Sequence, residues 1–97
     1  MKIPNKVNIG GIIYDVTVEK FQHNSLTEDK LWGNIDHGKC KIYLNDNIDK
    51  QVLDQVFFHE VLHGIENEYQ IKIRDADIDR ISHGLTQFLK DNNLLKD

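Results

Sequence analysis

The chain has 97 residues, of which 39% are hydrophobic and 29% charged, with a formal net charge of -4. A chain of that length buries one core, so residues 1–97 are expected to form a single domain, and the apolar content is too high for disorder. The acidic balance, with Lys and Arg scattered, excludes nucleic acid and anionic membrane surfaces as expected partners, because both reward clustered basic charge.

The opening residues 1–10 hold no apolar stretch of signal-peptide length, and no run approaches the span of a bilayer, so a cytoplasmic location is expected. The lone cysteine, Cys40, has no partner for an internal disulfide, which agrees with a reducing compartment. With no Cys or His at ligand spacing beside it, Cys40 reads as a small hydrophobe.

In chain order, residues 6–9 and 12–18 flank Gly10-Gly11, a pair suited to the positive φ angles of a tight primed turn, and predict a β-hairpin. Period-two alternation sets Ile12, Tyr14, Val16 and Val18 on the face opposite Ile13. Residues 22–30 are polar and predict a loop. A second hairpin is predicted from residues 31–35, a turn at Asp36-His37-Gly38, and residues 40–45, with Cys40, Ile42 and Leu44 sharing one face.

Residues 46–49 (Asp-Asn-Ile-Asp) supply capping side chains for a helix that runs to Tyr69 without proline, its apolar residues recurring at helical spacing. Residues 70–74 break that pattern, with Ile71 and Ile73 suited to a brief extended segment. A last helix is predicted over residues 75–92, with Ile78, Ile81, Leu85, Phe88 and Leu89 as its buried stripe. Four strands followed by two helices predict an α+β domain, an antiparallel sheet covered on one face by a packed helix pair.

The most informative residues are His59, Glu60, Val61, Leu62 and His63, which spell H-E-x-x-H within the first helix. Histidines four apart lie one turn above each other on one helical face, so both imidazoles can converge on one divalent ion, for which zinc is best suited. Glu60 points aside, where it can act as a general base rather than a ligand. The plainer interpretation is a pair of histidines on the flank of an ordinary core helix, which gains nothing from bordering its apolar arc with them.

Catalytic zinc takes three protein ligands and leaves one position open, so a third donor is needed from Glu66, Glu68, Asp75, Asp77, Asp79 or His83. The longer H-E-x-x-H-x-x-G-x-x-H pattern is absent, because Glu66 and Tyr69 stand where its glycine and third histidine would be. Glu66 suits a supporting or solvent-facing role. Measured from a stripe centred on Ile81 and Leu85, Asp75 lies roughly 90° round the last helix, Asp79 roughly 130° and His83 nearly opposite. Asp75 is thus well placed to border the core, and Asp79 could accept a hydrogen bond from a ligating ring. Acidic residues in a helix's first turn are also favourable without any metal, the reading preferred for Asp77.

The H-E-V-L-H helix, followed by Asp75, Ile78, Asp79, Ile81 and Ser82, resembles the small phage and mobile-element zinc metallopeptidases related to the ImmA/IrrE group. The segment from Trp32-Gly33 to Leu44 and the ending from Gly84-Leu85 to Asn92 are similar to short phage-encoded members. The resemblance implies a minimal zincin-like fold, Zn2+ held by His59, His63 and Asp75, and Glu60 as general base. The family position of Asp75 usually carries Glu, one methylene longer. It also implies a peptide or protein substrate held extended along the sheet edge next to the strand containing Tyr43.

Two functions follow as expectations. One is a zinc-dependent peptidase in which His83, Tyr69 or Tyr43 steadies the oxyanion. The other is a non-catalytic zincin-like interaction protein of a phage or mobile element.

Overall fold

The computed structural model describes residues 1–20 and 32–95; the loop predicted over 22–30 and the start of the second hairpin at Leu31 lie outside them. Strands β1 (Lys6–Ile9) and β2 (Ile12–Glu19) pair antiparallel across Gly10 and Gly11, whose φ angles of 62° and 90° are those that a primed turn needs. Asn8 Oδ1 closes the turn by accepting from the Gly11 N–H at 2.8 Å. Strands β3 (Gly33–Asp36) and β4 (Lys41–Asn45) form the second hairpin.

The expected antiparallel sheet is corrected to a mixed one of order β1-β2-β4-β3, in which β4 runs parallel to β2. Backbone bonds from Asp15 N to Cys40 O and from Asp46 N to Glu19 O, each 3.0 Å, bracket the parallel ladder. Alternation assigns residues to faces but carries no information on which strands are neighbours. As a result β4, with Tyr43, is interior, and the edge strands among those described are β1 and β3. The expectation of a free sheet edge at the Tyr43 strand is therefore corrected: that strand is flanked on both sides, by β2 and β3.

Helix α1 (Lys50–Tyr69) begins at Asp49, whose carboxylate accepts from the Gln51 N–H at 2.8 Å. Its apolar residues point in several directions because it is sandwiched, with the sheet on one side and α2 (Asp75–Asp91) on the other. Ile9, Tyr14, Val16, Ile42 and Leu44 from the sheet close on Val56 and Phe57 to make the core. Residues 71–74 adopt no regular structure, so the extended segment at Ile71 and Ile73 does not form a strand.

The buried stripe of α2 also differs from expectation. Ile78, Ser82 and Thr86 are buried, whereas Ile81, Leu85 and Phe88 are exposed. Small hydroxyl residues suit a close helix contact once their polar atoms are satisfied, and here Ser82 donates to Asp79 O (2.9 Å) and Thr86 to Ser82 O (2.6 Å). Among the described residues, no helix is long and apolar enough to cross a membrane.

Candidate metal centre

His59 and His63 lie one turn apart on the flank of α1, between its sheet side and its α2 side. Their rings meet edge to face, with centroids 4.9 Å apart and Nε2 atoms separated by 3.2 Å. Two nitrogens on one tetrahedral zinc, each about 2.05 Å away, would stand about 3.3 Å apart. The pair therefore fits two corners of a zinc site as it stands.

The outward ring nitrogens face carboxylates, and at His63 the contact is a hydrogen bond of the kind that orients histidine ligands. Glu66 Oε1 lies 2.8 Å from His63 Nδ1, and Asp79 Oδ1 lies 3.6 Å from His59 Nδ1. Burial holds the His59 pKa below its usual value, joined by repulsion from His63 and opposed by Asp79 and Asp75, which favours the neutral ring that ligation requires. Glu66 is held below the ordinary carboxylate range, chiefly by the Ile73 N–H, which it accepts at 2.7 Å.

Glu60, one residue on from His59, turns toward the sheet and is buried; desolvation pushes its pKa up to about 7, against a smaller opposing influence of His63. It packs against the backbone of Gly33, where an added Cβ would sit 3.2 Å from Glu60 Oε2 and 2.8 Å from Val56 Cγ1. Glycine in β3 thus lets the carboxyl reach the cleft wall. The cleft has a volume of about 870 Å³ and runs between β3, α1 and the start of α2, with His59, Glu60, His63, Asp75 and Asp79 on its walls.

Of the six third-donor candidates, only Asp75 and Asp79 border this cleft with both histidines. Glu66 serves His63, Glu68 accepts the Tyr14 hydroxyl at 2.8 Å, Asp77 is paired with Arg74 and Arg80, and His83 is exposed. Because the buried face of α2 centres near Ser82, Asp75 lies only about 20° from it and Asp79 about 60°, closer to α1 than the apolar pattern implied. Among the described residues, no third His, Cys, Asp or Glu completes a metal-holding group with the pair, so Asp75 borders the centre without closing on it.

The expected oxyanion donors do not line the cleft: His83 and Tyr69 are exposed elsewhere, and Tyr43 lies on interior β4 with its side chain on the sheet face away from Ile42, Leu44 and α1. Donors that do line it are Trp32, Asn34, His37 and Gln55. Nothing in their spacing marked them, since they come from the edge hairpin and a different turn of α1. The β3 edge itself faces the cleft. Asn45 N donates to Trp32 O at 3.0 Å, which makes that a hydrogen-bonded pair; by antiparallel alternation the N–H and C=O groups of Gly33 and Ile35 then point away from β4.

No protein-family model matches the chain, and no curated protein or solved structure matches it either.

Proposed function

We propose that the chain is a zinc-dependent metallopeptidase of the small zincin-like kind found in phages and mobile elements and related to the ImmA/IrrE group. The observation that carries this reading is the 3.2 Å approach of the His59 and His63 Nε2 atoms, each ring backed by a carboxylate, beside a buried glutamate at the floor of an open cleft. His59 and His63 would hold the ion, with Asp75 as third donor. When bound, zinc polarises the scissile carbonyl and lowers the pKa of water from about 15.7 to about 7.

Glu60 takes the proton of the attacking water and returns it to the departing amine nitrogen, a task suited to a carboxyl that burial has moved close to neutrality. An extended peptide pairs with the outward N–H and C=O groups of Gly33 and Ile35, which puts its backbone across the cleft in front of Glu60. Among the cleft donors, His37 and Asn34 are the groups available to a developing oxyanion. The reading carries a cytoplasmic location in a bacterial host or phage-infected cell, supported by the unpaired Cys40.

A second reading, a non-catalytic interaction domain on the same scaffold, is favoured by the lack of a closed three-donor set among the described residues. The test is Glu60→Gln, assayed with a fluorescence-quenched peptide library and equimolar ZnCl2. Cleavage should fall by about 10²–10⁴-fold while zinc stays bound. Cleavage by the variant at the wild-type rate discards Glu60 as general base, and zinc-loaded wild-type protein that cleaves no peptide overturns the peptidase reading.

A further inference from the structure

The cleft changes its chemistry along its length, and β3 and α1 fix the order. The two run the same way, with Gly33 against Val56 and Glu60, and Ile35 against Gly64 further along the helix. At the Gly33 end the wall is apolar, made by Val56 and by Trp32, which is 47% exposed. Past Ile35, at the other end, His37 and His63 also border a second hollow of about 430 Å³ that continues the cleft and is lined further by Gln70, Ile71 and Lys72. Lys72 is exposed and forms no ion pair among the described residues. The carboxylate of this hollow, Glu66, already accepts the Ile73 N–H at 2.7 Å and lies 2.8 Å from His63 Nδ1, so Lys72 carries the charge there that a ligand can answer. Between the two ends the walls are acidic, with Glu60, Asp75 and Asp79.

We infer that the partner of this cleft is an extended segment with an acidic residue four positions before an apolar one, the acidic side chain reaching Lys72 and the apolar one covering Trp32 and Val56. A strand laid on β3 presents every second side chain to the face that Gly33 and Ile35 share, so a residue opposite Gly33 and one opposite His37, just past the end of β3, are four apart and on that face together. At about 3.4 Å per residue they stand about 14 Å apart. Antiparallel pairing is the more stable kind and places the residue opposite His37 first in the segment. Repulsion enforces the same order. A carboxylate at the Gly33 end meets an apolar wall beside Glu60, and an ammonium at the far end meets Lys72, so the wrong direction is penalised as well as the right one favoured. A large aromatic residue beside an aliphatic one is the kind of contact that dominates a binding interface, which gives Trp32 the larger share of the apolar end.

The inference deepens the proposed function by giving its substrate class, and rests on that reading for the pairing with β3 but not for catalysis. The test therefore reads binding apart from cleavage. Glu60→Gln, loaded with equimolar ZnCl2, is titrated into dye-labelled alanine-based decapeptides that carry glutamate four residues before leucine, lysine in place of the glutamate, the two residues in reverse order, or alanine in place of the leucine, and fluorescence anisotropy gives each Kd. The glutamate peptide should bind about 3–10-fold more tightly than the lysine peptide, as expected when an exposed ion pair is exchanged for a repulsion. That difference should shrink in about 0.5 M NaCl, where the screening length is about 4 Å. Lys72→Glu should invert the preference, and Trp32→Ala should remove the preference for leucine over alanine; the reversed peptide should bind more weakly than the forward one. Equal binding of the glutamate and lysine peptides, a preference that Lys72→Glu leaves unchanged, or tighter binding of the reversed peptide overturns the inference while the peptide reading of the cleft stands. No binding by any of the four overturns both. Binding in the expected order, with no cleavage by zinc-loaded wild-type protein, supports the inference and moves the function to the interaction-domain reading.

Discussion

Gly64 follows His63 on α1 and is buried against β1, where an added Cβ would stand 2.8 Å from Ile9 Cδ1 and 3.4 Å from Ile35 Cδ1. Carbon pairs rest at about 3.5–4.0 Å, so Gly64→Ala forces a displacement of about 0.7–1.2 Å on one of two packed elements. Ile9 is only 4% exposed, so its Cδ1 must be displaced within the packed core, and overpacking costs about 1–3 kcal/mol. Replacing glycine inside a helix offsets about 1 kcal/mol of this. The net is a loss of about 1 kcal/mol, read in thermal melts as a fall of about 4–8 °C for a domain of this size. Ile9→Val removes the opposing Cδ1 and by itself costs about 0.5–1.5 kcal/mol. Placed on Gly64→Ala it should cost close to nothing, giving a double-mutant coupling of about 1 kcal/mol. Additive single effects, or an alanine variant that melts above wild type, would show that α1 does not seat on β1 as described.

Other perturbations reach the site and its supports. Asp75→Ala should weaken zinc binding by more than about 100-fold, beyond the about 10–100-fold expected for a supporting residue such as Asp79; isothermal titration of the two variants decides, and the reverse order makes Asp79 the ligand. Tyr14→Phe deletes a buried hydroxyl that donates to Glu68 and should cost about 1–2 kcal/mol in urea melts. The same residue predicts an alkaline limit. Burial, with Glu68, pushes the Tyr14 pKa up to about 12 from 10.0, so between those values the unfolded chain binds fewer protons, and stability falls as pH rises through the window. Tyr14→Phe should flatten that decline, and an unchanged alkaline slope counts against the assignment. Gly33→Ala, which crowds Glu60 and Val56, should reduce cleavage more than it reduces zinc binding.

The parts of this fold legible in the sequence are those set by local chemistry. Gly10-Gly11 and the Asp49 cap each act over a single turn and each gives the element expected of it, and the H-E-x-x-H spacing, equally local, sets the rings of His59 and His63 side by side. Strand neighbours are not local: nothing in residues 40–45 says that β4 will lie parallel to β2, and that one pairing decides which edge borders the cleft. The face of α2 is a second case. Ile81, Leu85 and Phe88 form the stronger apolar pattern, yet the helix turns Ser82 and Thr86 to α1, because small residues permit a close approach and their hydroxyls are satisfied within the helix. Reading that face correctly brings Asp75 nearer the histidines than the apolar stripe suggests. The support from Glu66 was visible only as one option among several, since its role depends on Ile73, which lies beyond the end of α1.

The central claim is that His59 and His63 hold one divalent ion between them. Metal analysis of protein equilibrated with ZnCl2 and then dialysed tests it most directly, with His59→Ala/His63→Ala as the paired sample. The account predicts about one zinc per wild-type chain and none in the double variant. Wild-type protein that keeps no zinc, or a double variant that keeps as much as wild type, contradicts it.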